Sequence, residues 1–154
     1  MLPSVRGVTI VAGSKKGDEM KNIVVGFDGS EAARRALTRA AELAGDATVT
    51  VVSAVAVHMP TGRGGMAAVD PEERAERERE LADAATLLRE KGITPRQVEG
   101  HGEPGDVIIE EAKELGADLI VVGTRGLNAA ERLVLGSVST KVVHHAPCNV
   151  LVVR

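Results

Sequence analysis

The sequence has almost no aromatic residues: Phe27 is the one Phe among 154 residues, and neither Trp nor Tyr occurs. Proteins that bind single-stranded nucleic acid stack the bases on aromatic rings, so this scarcity argues against that function. The formal net charge of −3 also provides no basic field for DNA or an anionic membrane. We therefore expect neither nucleic acid nor membrane as a partner, and a core of Val, Ile, Leu and Ala.

Cysteine and long apolar runs are scarce as well. The single cysteine, Cys148, excludes an internal disulfide framework and a multi-cysteine zinc site. Apolar stretches such as Val51–Val57 are far shorter than the roughly 20 residues that span a bilayer. The short run Val8–Ala12 falls below the roughly seven to fifteen residues of a secretory signal. We expect a cytoplasmic protein.

Residues 1–20 differ from the rest because Gly and Pro interrupt them repeatedly. A regular pattern begins at Met20–Ile23. We predict a flexible leader over residues 1–20 and one domain over residues 21–154. An alternative is that Val8–Ala12 adds an edge strand to that domain.

Short apolar runs alternate with helical patterns from Ile23 onwards, which is typical of strands buried on both faces and joined by crossover helices. We predict a single doubly wound α/β domain with a mainly parallel sheet and helices on both faces. The predicted strands are Ile23–Phe27, Thr48–Val55, Arg96–Glu99, Asp118–Val122 and Asn149–Val153, and the predicted helices begin near Ser30, Asp70, Gly105 and Ser137.

The second predicted helix is unusual because its first half, Glu72–Glu80, is almost entirely charged. Glu73 is placed to complete a capping box, and it also stands at ion-pair spacing from Arg77. We interpret this half as a solvated face. The second half has an apolar face that includes Leu81 and Leu88.

Two loops lie where the order of the strands is expected to reverse. One is the turn Asp28–Ser30; the other begins at Gly123–Gly126 and continues to Gly136 and Ser137 at the start of the last helix. Ligands bind at such points in doubly wound sheets. Glycines and a helix N-terminus expose N–H groups to an anion, which favours a phosphate. Glycine at strand ends and Ser at a helix start are also ordinary turn chemistry, and the residues alone leave both interpretations open.

Neighbouring side chains suit the rest of a nucleotide. Ser137 and Ser139 add hydroxyl groups at the phosphate end. The Asp28 carboxylate is a good acceptor for ribose hydroxyls or an adenine amino group. Ala54 and Val55 are placed to wall the base. Two cations near the glycines either reach a phosphate or are ordinary surface residues: Arg125 and Arg132.

The spacing Gly123-x2-Gly126-x9-Gly136-Ser137 resembles the nucleotide-binding signature of the universal stress protein family. Three further segments resemble the opening strand and turn, the fourth strand and the ending of that family: Ile23–Ser30, Ala117–Gly123 and Val143–Val153. The resemblance covers about residues 21–154.

This resemblance implies a five-stranded sheet of order 3-2-1-4-5. It also implies the ATP-binding branch of the family, because the other branch lacks the glycine signature. Asp28 and Ala54 are implied to line the adenosine, and the glycine segments to border the ribose and phosphates. The expected nucleotide-binding residues are Gly26, Phe27, Asp28, Ala54, Val55, Val122, Gly123, Arg125, Gly126, Gly136, Ser137, Val138 and Ser139.

We expect a stress-response regulatory module that binds ATP, with Mg²⁺ carried by the nucleotide. No positioned general base or paired nucleophile is evident, so we expect no enzyme beyond slow ATP hydrolysis or autophosphorylation. The alternative is a dimeric interaction protein whose glycine loop is structural or holds AMP or cyclic AMP.

The resemblance further implies a homodimer through the last strand, Asn149–Val153. Two residues depart from the family pattern. Phe27 stands where a smaller residue is usual, which would either tighten the adenine pocket or shift its position. Asn149 stands where a second proline is frequent, which restores an N–H to the start of that strand.

Overall fold

The computed structural model describes residues 8–11, 19–59, 67–124 and 135–154. The strands are β1 (Val8–Val11), β2 (Asn22–Gly26), β3 (Thr48–Val55), β4 (Arg96–His101), β5 (Leu119–Gly123) and β6 (Asn149–Val153). The helices are α1 (Glu31–Ala44), α2 (Pro71–Glu90), α3 (Pro104–Glu114) and α4 (Ser137–His145). Within the described ranges, no helix combines the length and the apolar character needed to cross a membrane.

The strands form one sheet of order β1-β6-β5-β2-β3-β4. Strands β2 to β6 pair in parallel, so each connection between them crosses over a face of the sheet through a helix. Counted from β2, this is the order 3-2-1-4-5, and the predicted doubly wound α/β fold is confirmed. The chain builds outwards from β2 in one direction and from β5 in the other.

Both faces of the central strands are buried, which explains why they are continuous apolar runs rather than alternating ones. Ile23 and Val25 of β2 pack in one apolar cluster with Leu37 of α1 and residues of α2. Val24 packs on the opposite face with residues of α3 and Val142 of α4. The two clusters hold the sheet rigidly between two layers of helices.

The helices begin where the capping residues predict. Ser30 accepts a hydrogen bond from the N–H of Ala33, and Asp70 accepts one from the N–H of Glu72 at 2.8 Å. The predicted capping box of α2 is wrong. The Glu73 carboxylate accepts from the N–H of Ala56 at 3.2 Å instead, and thereby ties the start of α2 to the end of β3.

Strand β1 lies antiparallel to β6, with Val8 opposite Val153 and Val11 opposite Val150. The structure therefore has the edge strand that was the alternative for Val8–Ala12. Most of the remaining predicted leader lies outside the described residues. The weakly patterned β4 extends two residues beyond the predicted Glu99, because it pairs with β3 as far as His101.

Candidate functional site

The candidate site lies at the carboxyl ends of β2 and β5, the adjacent strands from which the chain leaves in opposite directions. Loops that diverge at such a point leave a crevice between them. A cavity of about 210 Å³ occupies this position. It is lined by Gly26, Phe27, Asp28, Ser30, Ala33, Val52, Ser53, Ala54, Ala56, Glu73, Arg77, Gly102, Pro104, Ile108, Val122, Gly123, Gly136, Val138 and Ser139.

Most of the site residues expected from the sequence come together in this wall. They are Gly26, Phe27, Asp28, Ala54, Val122, Gly123, Gly136, Val138 and Ser139. Val55 is fully buried and Ser137 is exposed, and neither lines the cavity. Arg125, Gly126 and Arg132 lie outside the described residues.

The turn after β2 presents the Asp28 carboxylate to the cavity. Its Oδ1 accepts a hydrogen bond from the N–H of Ser30 at 3.0 Å, which fixes the carboxylate beside the start of α1. Gly29 has φ +76°, a conformation that side chains rarely adopt. A Cβ there would also lie 2.7 Å from Oε1 of Glu80, so α2 closes directly over this turn.

Gly123 has a structural requirement that is independent of any ligand. A Cβ at this position would lie 2.6 Å from the carbonyl carbon of Ala32 in the first turn of α1. Gly123 therefore permits α1 to approach the end of β5. Substituting Gly123 would disturb that packing as well as a phosphate site, so it is a poor test of ligand binding.

The N-terminus of α4 forms another part of the wall. Gly136 occupies the N-cap position without a side-chain cap, so the backbone N–H groups of the first turn are not capped by its side chain. Ser139 is 1% exposed, and its Oγ donates to the Gly136 carbonyl at 3.1 Å. Uncapped N–H groups and the helix dipole make this end of the cavity attractive to an anion.

Another part of the wall contains polar residues of α2 that sequence reasoning missed. The interpretation of Glu72–Glu80 as a solvated face is wrong for Arg77 and Glu80, whose side chains are 19% and 15% exposed. Nη1 of Arg77 lies 2.9 Å from Oε2 of Glu80, and its Nη2 lies 3.3 Å from Glu76. Arg77 thus pairs with these carboxylates. The sequence spacing had instead predicted a pair between Arg77 and Glu73.

Burial raises the pKa of Glu80 above its ordinary value. The neighbouring Arg77 opposes that rise, whereas the negative charges of Glu76 and Asp28 add to it. This end of the cavity is therefore rich in carboxylates and electrostatically unlike the N-terminus of α4.

A signal for these residues does exist in the sequence. Glu73, Arg77 and Glu80 precede Leu81, Ala84 and Leu88 at spacings of three and four residues. They therefore continue the inward face of α2. The many charged residues in this half of α2 made its inward face hard to recognise in the sequence.

Two histidines contact carboxylates near the site: His58 follows β3, and His101 is the last residue of β4. Nε2 of His58 lies 3.4 Å from Glu73, and Nε2 of His101 lies 3.6 Å from Glu99. Both side chains are about half exposed or more. Over the described ranges, no group of three or more His, Cys, Asp or Glu residues is arranged to hold a metal ion.

Comparison with known proteins shows which family has this architecture. The universal stress protein family matches residues 19–154. A relative from Staphylococcus haemolyticus, described as a universal stress protein, is 38% identical over 139 residues, which are 87% of this chain and 84% of the relative.

Two solved structures are similar throughout the domain. A universal stress protein in complex with cAMP is 30% identical with a TM-score of 0.69, over 88% of this chain and 97% of that one. A universal stress protein from Archaeoglobus fulgidus in complex with dAMP is 28% identical with a TM-score of 0.61, over 88% and 98%. The sequence match, the doubly wound sheet and the cavity at its switch point agree, and the chain belongs to the universal stress protein family.

Proposed function

We propose that the protein is a cytoplasmic regulatory module that binds ATP in the cavity between β2 and β5. The observation that carries this proposal is the polarity of the cavity. An uncapped helix N-terminus at Gly136 forms one part of its wall, and carboxylates at Asp28 and α2 form another. This separation suits a ligand with an anionic tail and an uncharged, hydrogen-bonding base.

The relatives with bound cAMP and dAMP support an adenine nucleotide as the ligand class. We place the adenosine against Asp28 and Ala54 and the phosphates against the start of α4. Arg125 and Gly126 belong to the proposed phosphate loop from their sequence positions. AMP and cyclic AMP are the alternative ligands, since they need the same adenosine contacts and fewer phosphate contacts.

The proposed activity is binding, with at most slow hydrolysis or autophosphorylation. Ser139 directs its hydroxyl at a backbone carbonyl, and Ser30 accepts from its own helix, so neither is paired with a general base among the residues that the structure describes. No dedicated carboxylate cluster for Mg²⁺ is present in the described part of the chain. Mg²⁺ would therefore arrive with the triphosphate and be held chiefly by it.

The first experiment uses the absence of Trp and Tyr. The protein has almost no ultraviolet absorbance of its own above the peptide bands, so a bound adenine would dominate the spectrum. Protein purified without added nucleotide is denatured, and the released compounds are separated. ATP at near-equal stoichiometry supports the proposal, AMP or cyclic AMP supports the alternative, and no nucleotide together with no binding of added ATP overturns both.

A pair of isosteric variants tests the phosphate end. Gly136 has φ −66° and ψ 170°, which any residue can adopt, and both Asp and Asn are good N-caps. Gly136→Asp places a negative charge where the phosphates are proposed, whereas Gly136→Asn has the same size without the charge. We expect Gly136→Asp to bind ATP at least tenfold more weakly than Gly136→Asn, roughly the effect of one like charge on a partly buried anion. Equal affinities would place the phosphates elsewhere.

The proposed homodimer through Asn149–Val153 requires that β1 leave β6, which the sequence did not suggest. In the structure, β1 pairs with β6 along residues 8–11, on the side opposite β5. A second copy could pair with this side of β6 only after β1 had left it. Thr9→Pro together with Ile10→Pro removes two successive N–H groups from β1, one of which must face β6. We expect the double variant to be more dimeric than the unmodified chain by light scattering, and an unchanged mass would argue against this dimer surface.

A further inference from the structure

We infer that Ser53 and Arg77 recognise the base of the bound nucleotide and select an aminopurine. This inference rests on the proposed function, because it assigns the base end of the same cavity. The observation behind it is independent of the glycine signature. Two residues of the cavity wall each carry a buried polar atom, Oγ of Ser53 and Nε of Arg77, that has no hydrogen-bond partner among the described residues.

Ser53 is the first half of this pair. It belongs to β3, is 2% exposed and is one of the residues of the cavity wall, yet its buried hydroxyl has no partner in the described part of the chain. Valines precede it on β3, and another apolar residue would serve packing equally well. Burying a hydroxyl without a hydrogen bond costs free energy, so a partner supplied by a ligand explains its presence.

Arg77 is the second half. Carboxylates of Glu80 and Glu76 lie 2.9 Å and 3.3 Å from its two Nη atoms, although the contact with Oε2 of Glu80 is not aligned as a hydrogen bond. These contacts hold the planar guanidinium in place. One of its other donors, the Nε–H, is buried and unused within the described residues.

The charges around Arg77 decide between a base and a phosphate. Glu80 and Glu76 already balance the guanidinium, and Glu73 and Asp28 add further negative charge to the same region of the wall. A polyanionic phosphate tail is repelled by these carboxylates and attracted by the N-terminus of α4. An uncharged base is therefore the part of a nucleotide that fits beside Arg77.

The donors and acceptors identify the class of base. The Nε–H of Arg77 donates only, so it needs an acceptor such as a ring nitrogen, and the Ser53 hydroxyl can accept from an amino group. Adenine presents a ring nitrogen next to its exocyclic amino group. A base with a ring N–H opposite the Nε–H of Arg77 would set one donor against another, which is a strong basis for rejection, whereas the Ser53 hydroxyl can turn and donate to a carbonyl.

The test compares three probes by calorimetry: ATP, purine riboside 5′-triphosphate, which lacks the amino group, and inorganic tripolyphosphate. The variants are Ser53→Ala and Arg77→Lys, of which the second keeps the positive charge and loses the Nε–H. Arg74→Lys is the matched control, because Nε of Arg74 contacts Glu78 and Glu99 and its side chain is 57% exposed. We expect each variant to bind ATP about five to ten times more weakly, the loss of one hydrogen bond. Ser53→Ala should also erase the preference for ATP over the purine riboside triphosphate. Arg74→Lys and the binding of tripolyphosphate should be unchanged.

A second readout separates recognition from folding. If the Ser53 hydroxyl serves the ligand, Ser53→Ala in the nucleotide-free protein should melt at the same temperature as the unmodified chain or higher, because an unsatisfied group has been removed. A lower melting temperature would make Ser53 structural and overturn its assigned role. ATP binding that is unchanged in both variants overturns this inference and leaves the proposed function intact. Equal losses for ATP and tripolyphosphate assign Arg77 to phosphate, and an unmodified chain that binds no nucleotide overturns both proposals.

Discussion

The inward face of α2 is polar over its first turns and apolar over its last turns, although one helical spacing runs through both. Arg77, which lines the cavity, is 19% exposed, and its neighbour Glu80 is 15% exposed. Leu81, Ala84 and Leu88 are at most 5% exposed and pack in the core cluster beneath α1. Periodicity decides which residues of α2 point inwards, and the space beneath each turn decides whether those residues are polar.

The two halves of α2 also have different roles. The last turns bury apolar area against β3 and α1 and hold α2 on the sheet. The first turns bury charged groups, which stabilise a fold little even when they are paired. We attribute their presence to the proposed ligand binding rather than to stability. Substitutions in the two halves should therefore act on different measurable quantities.

The largest effect on stability is expected from Leu88→Ala. Leu88 is fully buried, and truncating such a residue costs about 2–5 kcal/mol through lost burial and the cavity that remains. Urea unfolding followed by circular dichroism measures this loss. ATP affinity of the folded fraction should be unchanged. Leu43→Ala is the control, because Leu43 is 45% exposed and its truncation should cost far less. Equal losses in the two variants would contradict the burial that the structure gives Leu88.

A smaller, pH-dependent effect is expected from Glu80→Gln. Burial raises the pKa of Glu80 in the folded protein above its value in the unfolded chain. The folded state then holds the proton to a higher pH. The stability of the unmodified protein accordingly falls as the pH rises from the unfolded pKa through the folded pKa, and the deficit is constant above it. Gln does not titrate, so Glu80→Gln should gain in relative stability across that window.

Unfolding free energies from about pH 4 to pH 8 measure this difference. The matched control is Glu78→Gln, whose carboxylate is 61% exposed on the outer side of the same helix. Its stability relative to the unmodified chain should not show the gain assigned to Glu80. A difference between Glu80→Gln and the unmodified protein that does not vary with pH would remove the electrostatic account of this position.

Local chemistry predicts most of the fold for identifiable reasons. The apolar runs around Ile23 and Leu119 are buried on both faces, and few other structures accommodate such runs. Ser30 and Asp70 mark helix starts because their side chains satisfy backbone N–H groups. The pairing of β1 with β6 joins residues more than a hundred positions apart, and a four-residue run carries no local signal of its partner.

The candidate site was predictable where the backbone itself provides the chemistry. Gly136 can be recognised from the spacing of the glycines, and the turn at Asp28 can be recognised from its turn-forming residues. Ser53 and Arg77 do not, because each is ordinary in its own segment and becomes notable only when both reach one cavity unpartnered among the described residues. Gly123 shows the converse, since a glycine of the signature also serves the packing of α1.

The smallest effect is expected from Arg74→Gln. This variant compares two sides of the same half of α2, whereas the variants above compare its two halves. Arg74 is charged like Arg77 and only three positions away, but it lies outside the cavity wall, 3.4 Å from Glu78 and 3.2 Å from Glu99. Exposed ion pairs contribute about 0–1 kcal/mol, so its removal should change stability within that range and leave ATP affinity unaltered. Because the composition of this half is uniform, contrasting results at Arg74 and Arg77 could arise only from the direction in which each side chain points. A loss of ATP binding in Arg74→Gln would instead assign the effect to the general charge of the helix.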